Sequence, residues 1–252
     1  MQTDETRWDP ALRLSLGARG PDVKRVQEWL TLGGSEVARD GDFGRLTEAA
    51  LRAFQASRGL PATGAADATT FALLCAPLAA ALAQVQLPLG ATLGEACVAH
   101  ARAHLAAGAR ELDERNMGPW VRAYMGGHEG RAWPWCAGFV SFVLRQAAET
   151  LRDRVPFRLS YGCSELARYA KAAGRFIDGS DGLGAVAPGD LFVVRGESQG
   201  SWSHTGVVAE VRGGSFLSVE GNTSYAGSRE GTHVRSLERR PGRLDFIAVT
   251  RR

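Results

Sequence analysis

The 252-residue chain has no block of lysine and arginine, and its formal charge of +3 is only mildly basic. No interleaving of aromatic and basic residues supports nucleic acid as a partner, whereas a weak positive balance suits an anionic polymer. Long hydrophobic runs are also missing. Residues 76–91, APLAAALAQVQLPLGA, are cut by Pro77, Gln84, Gln86 and Pro88, which predicts a linker helix against a neighbour and no stable membrane insertion. The opening MQTDETRWDP has acidic residues and no apolar centre, so it does not read as a secretion signal. Cysteine is scarce: Cys75, Cys97, Cys136 and Cys163 are widely scattered. If one of them is a nucleophile an odd number remains, which argues against a full disulfide framework.

What the chain does have is PWCAGFVSFVL, Pro134 to Leu144. Phe139, Val140, Val143 and Ala147 recur at three- and four-residue steps, predicting a helix with one buried stripe and Cys136 in its first turn. Unpaired backbone N–H groups and the positive end of the helix dipole favour an anion there, so a thiol at that place ionises more readily. A small buried thiol is the equal alternative on the helix start alone.

The stretch SHTGVVAEVRGGSFLSVEGNTS weighs against that alternative. Two alternating apolar runs around Gly213-Gly214 predict a hairpin. Thr205, Val207, Ala209 and Val211 form the apolar face of the first strand, with Leu217 and Val219 as partners on the second. Placing all of these on one side requires an odd loop, Arg212-Gly213-Gly214. The other face then holds His204 opposite Asn222, with Glu220 diagonal to it, and a one-residue slip would throw this polar set into the core. A histidine to move a proton and a carboxylate or amide to hold its tautomer are what a thiol nucleophile needs.

The order Cys136, His204, Glu220-x-Asn222 resembles the CHAP domain, a papain-like family of cysteine amidohydrolases and peptidases that cut peptidoglycan. The matching stretches are NMGPWVRAYMG, WPWCAGFVSFVL, PGDLFVV, SHTGVVAEV, VEGNTS and EGTHV, within residues 111–250. The resemblance implies Cys136 as nucleophile, His204 as base, Glu220 as orienting carboxylate and Asn222 as second polar partner. In that family the segment after Asn116 borders the cleft; Trp120, Trp133 and Trp135 are read as its walls for sugar or peptide stems, with a place in the core as the equal alternative for a tryptophan. Some members carry a calcium loop of clustered aspartates before the cysteine; none is found here, so neither a metal nor a cofactor is expected.

Residues 12–75 make a separate unit. Pro21 opens a helix with Val23, Val26, Trp29 and Leu30 on one face; a second helix runs over 47–57 with Ala50, Leu51 and Phe54 inward; a third follows the cap Asp67 and buries Phe71 and Leu74. Phe43, in DGDFG, plugs the small core. LGARGPDVKRVQEWL, DGDFGRLTEAALRAFQ and GLPATG resemble the three-helix peptidoglycan-binding domain, which leaves a helical spacer without binding as the plainer alternative. After the linker, Thr92 to Glu95 is a capping-box pattern. The helix it opens carries Cys97, His100 and His104 on one face at metal-ligand spacing, but with no fourth ligand a helix packed on its neighbours is expected. His128 is read as a solvated loop residue and Cys163 as structural.

The expected architecture is thus α+β. Residues 1–11 form a tail, 12–75 a small all-α three-helix domain and 76–91 a linker, followed by a papain-like domain with an antiparallel sheet over 92–252. The expected protein is a monomer that hydrolyses an amide of peptidoglycan, either N-acetylmuramoyl-L-alanine or a bond in the stem or cross-bridge. It would be made in the bacterial cytoplasm and act in the periplasm or wall, as a phage-type lysin or as a toxin injected by a secretion machine, the latter needing an immunity partner. A non-catalytic wall binder, and a thiol amidase acting on a small molecule or a protein, are the alternatives.

Overall fold

The computed structural model describes residues 3–113, 115–226 and 230–250. Helices α1 (Pro21–Leu32), α2 (Arg45–Ser57) and α3 (Ala68–Leu74) form the first unit. Val23, Val26, Trp29 and Leu30 are all buried and Phe43 sits inside, as the spacing predicts. The Asp67 carboxylate accepts from Thr70 N at 2.9 Å and caps α3. Of the three α2 residues expected to face inward, Leu51 is buried, whereas Ala50 and Phe54 are partly covered.

Helix α4 (Ala76–Leu82) buries Leu78 and Ala81, and the amide of Gln146 donates to Ala81 O at 3.1 Å. The residues expected as a linker therefore begin as packed structure. Helix α5 (Leu93–Ala106) opens on a complete capping box, Thr92 accepting from Glu95 N and Glu95 from Thr92 N. Then come α6 (Pro119–Tyr124), α7 (Cys136–Leu151) and α8 (Cys163–Ala172).

The strands β1 (Phe176–Ile177), β2 (Leu191–Arg195), β3 (Trp202–Arg212), β4 (Ser215–Thr223), β5 (His233–Arg239) and β6 (Leu244–Ile247) form one antiparallel sheet in the order β1-β6-β2-β3-β4-β5. Helices α5 and α7 pack on one face, where Val193, Val207, Ala209 and Val219 meet Phe139, Val140 and Val143 in one apolar core. Close approach is needed where α7 begins: a Cβ on Gly221 of β4 would stand 2.7 Å from the Trp135 ring and from Phe139.

The hairpin differs from its expected form. Arg212 pairs with Ser215, so the loop is the two residues Gly213-Gly214, with Gly213 at φ 49°. A bulge at Ala209 then shifts the register so that Val207 faces Val219, the parity expected of the site half. Its cost is Val211, which leaves the expected face and joins Val208, Phe192 and Phe216 on the other.

The two units share a single apolar core, with Trp29 of α1 edge-on to Trp120 of α6 at 6.3 Å. A buried ion cluster crosses the same boundary. Arg122 of α6 binds Glu5 at 2.8 Å, Glu28 of α1 at 2.6 Å and Glu129, in the loop leading to Cys136, at 2.8 Å.

Candidate active site

Cys136 is the first residue of α7, and the first helical hydrogen bond runs from Phe139 N to Trp135 O at 2.8 Å. The amides before Phe139 therefore lie where a helix leaves its N–H groups without internal partners. His204 lies on β3, where Val194 of β2 is its cross-strand neighbour, and its Nε2 is 2.8 Å from Glu220 Oε2 on β4. Glu220 is fully buried and held from three sides. It accepts from Ser218 Oγ at 2.5 Å and, in bidentate fashion, from Arg239 of β5 at 2.5 and 2.6 Å. With Nε2 committed to Glu220, Nδ1 is the nitrogen left for the thiol.

The electrostatics follow from these partners. Burial opposes charge on His204, but hydrogen bonding and charge from Cys136 and Glu220 outweigh it and raise the imidazole to about 9. Cys136 moves the opposite way, well below the ordinary thiol range. The hydrogen bond with Cys163 acts first; the imidazole and the Ala137 N–H add to it, and burial works against them. Burial likewise raises Glu220, yet Arg239 and His204 take it down to about 2. The set is arranged as thiolate, imidazolium and carboxylate, which is the charge distribution of an activated sulfur nucleophile with its acid–base partner.

Asn222 is buried at φ 56°, within the register shift between Glu220 and Thr223. A left-handed non-glycine residue at a bulge re-aims its side chain at some cost in strain.

Cys136 lines a cavity of about 470 Å³ together with Trp133, Tyr161, Cys163 and Trp202. Of the three tryptophans expected to wall the cleft, only Trp133 does so, with its ring stacked on exposed His128 at 4.2 Å. Trp120 and Trp135 are corrections. Both are buried, Trp120 against His104 and Tyr124, and Trp135 stacked on Tyr124 at 5.5 Å with its N–H toward Glu111. Each sits at the start of a helix whose inner face supplies the core, so its ring turns inward.

Cys163, read from the sequence as structural, is the first residue of α8, and its sulfur lies 3.6 Å from that of Cys136. The sequence carries no local sign of this, because the contact joins two helix starts 27 residues apart. Arg239, Ser218 and Trp202 were equally unreadable, being brought in by strand pairing. On α5 the cysteine–histidine face is packed: His104 binds Gln146 at 2.7 Å and Tyr124 at 2.9 Å, and His100 binds Thr150 at 2.8 Å.

Residues 19–74 match the peptidoglycan binding domain family, and residues 124–222, which hold Cys136, His204, Glu220 and Asn222, match the CHAP domain family. The chain joins a peptidoglycan-binding domain to a CHAP domain.

Among solved structures, the SleB N-terminal domain is 39% identical over 26% of this chain and 90% of its own, with a TM-score of 0.25. A peptidoglycan-binding protein from Clostridioides difficile, in complex with glutamine hydroxamate, is 34% identical over 27% of this chain and 42% of its own, with a TM-score of 0.26. The endolysin of Burkholderia AP3 phage is 28% identical over 41% of this chain and 42% of its own, with a TM-score of 0.25. The chain thus spans under half the length of the latter two. No protein of curated function matches it. The CHAP and peptidoglycan-binding domains together support a peptidoglycan hydrolase or binder. No helix among the described residues is long and apolar enough to cross a membrane.

Proposed function

We propose that the protein is a cysteine-dependent peptidoglycan amidase or endopeptidase. The observation that carries this reading is the Cys136 thiol at a helix start beside an imidazole locked to Glu220 at 2.8 Å. In the proposed cycle the Cys136 thiolate adds to an amide carbonyl of the wall, and backbone N–H groups at the start of α7 stabilise the oxyanion. The C–N bond breaks as His204 gives its proton to the departing amine. Water, deprotonated by His204, then opens the thioester and regenerates the thiolate. Residues 12–75 hold the enzyme to its polymer and raise the local substrate concentration. The bond cut is the muramoyl–alanine amide or a peptide bond of the stem or cross-bridge.

The test is mass spectrometry of purified sacculi incubated with the intact protein or with Cys136→Ala. New fragments are expected from the intact protein alone, and their ends name the bond. Sacculi left whole by both proteins would overturn the hydrolase reading.

A further inference from the structure

A second cavity, of about 510 Å³, lies beside the thiol cavity and shares Pro134 with it. Pro134 stands two residues before Cys136, and Asn222 also faces this second cavity. Its walls are unlike those of the first. Where the thiol cavity has Trp133, Tyr161 and Trp202, the second has three guanidinium groups, Arg115, Arg131 and Arg235.

Two glutamates, Glu111 and Glu230, also line it, and each already has a partner. Among the described residues no carboxylate forms an ion pair with any of the three arginines. Arg235 is the one fixed by the fold. It stands across the ladder from Glu220, its guanidinium lies 3.5 Å from the Tyr225 ring centre, and its buried Nε meets no hydrogen-bond partner. A buried donor without an acceptor is costly, and the acceptor that best matches a guanidinium is a planar carboxylate held by two parallel hydrogen bonds.

We infer that this arginine-lined cavity is a subsite for a free carboxylate of the peptide stem, next to the bond presented to Cys136. The assignment rests on peptidoglycan being the substrate. It makes the enzyme selective for stems whose carboxylates are free over stems in which they are carboxamides, because an amide carries no charge and cannot accept a guanidinium fork at both positions.

The test is calorimetric titration of full-length Cys136→Ala with two purified muropeptides that differ only in carrying a stem carboxylate or its carboxamide. The same titrations are run with Arg235→Gln and with Arg131→Gln added. The carboxylate form is expected to bind about tenfold tighter, and either arginine substitution should remove that preference while leaving carboxamide binding in place. Equal binding of the two muropeptides overturns the subsite. So does a preference that survives both substitutions, since it would then belong to the helical domain. Digestion of the same muropeptides by the protein with Cys136 intact separates the two readings: a preference in binding with no cleavage keeps the subsite and removes the hydrolase.

Discussion

Two sets of cysteine and histidine stand at helix α7 and at the helix packed on it. At the start of α7 are Cys136 and His204; along α5, packed against it, are Cys97, His100 and His104. Burial does not separate them, since Cys136 is 2% exposed and Cys97 0%, His204 2% and His104 0%. Yet burial drives Cys97 up to about 12 and His104 and His100 down to about 4, while Cys136 falls and His204 rises to about 9. The difference lies in the partners. His104 is bonded by a neutral amide and a phenol, which bring no charge to offset its burial; His204 has a carboxylate on one side and the Cys136 thiol on the other. Desolvation penalises charge at both places; at His204 a second charge in hydrogen-bond reach reverses the outcome, and at Cys136 the Cys163 hydrogen bond leads with the imidazole adding to it.

The largest test of this contrast removes that second charge. Glu220→Gln keeps the shape but leaves His204 with a neutral partner, as at His104, and leaves Arg239 without its carboxylate. Release of wall fragments should fall by about 10²- to 10⁴-fold, through the rate rather than through wall binding. Stability should fall by about 3–5 kcal/mol, since one member of a buried ion set is left uncompensated. Activity within tenfold of the intact protein, measured on sacculi at equal folded concentration, would show that the imidazole does not depend on Glu220.

Acidity gives a smaller effect with a defined sign. His204 is raised, so its proton is held below about pH 9 and lost above it. Its contribution to stability is accordingly complete below the ordinary imidazole range and disappears as pH climbs through about 9. The rate of fragment release should decline about tenfold per pH unit above that point, because the departing amine no longer receives a proton. The lower limb belongs to Cys136 and should lie below the ordinary thiol range. A profile that keeps rising beyond pH 10 would mean that His204 is neutral in the working enzyme, like the histidines of α5.

How much of this was readable beforehand follows the range of the signal. Cys136 at a helix start and His204 in parity with Glu220 could be read because 3.6- and 2-residue periods are local, and a slip would have thrown the polar set into the core. The three helices of residues 12–75 were legible for the same reason. The bulge at Ala209 was not, since a two-residue and a three-residue loop leave the same alternation around two glycines. Trp120 and Trp135 misled because an aromatic beside a catalytic motif has the same spacing whether it turns inward or outward. Arg239 and Cys163 carry no motif: strand pairing and the meeting of two helix starts bring them to the site.

Cys163 gives the smallest and sharpest test. Its sulfur, 3.6 Å from that of Cys136, can donate a hydrogen bond to the thiolate, and that bond is the leading cause of the raised acidity of Cys136. At Cys97, by contrast, burial and the charge of Asp190 both act to raise the thiol. Cys163→Ala removes the donor and should make Cys136 more like Cys97. A hydrogen bond to a charged group contributes about 1.5 kcal/mol or more, so the midpoint for alkylation of Cys136 should move up by about one pH unit. Cys163→Ser keeps a hydroxyl donor at nearly the same place and should restore most of that shift. A merely structural role predicts something else, a loss of folded protein with an unchanged midpoint. Alkylation of the Cys136 peptide followed by mass across pH reads the two apart, and coincident curves for the intact protein, Cys163→Ala and Cys163→Ser would assign the thiolate to His204 and the helix start alone.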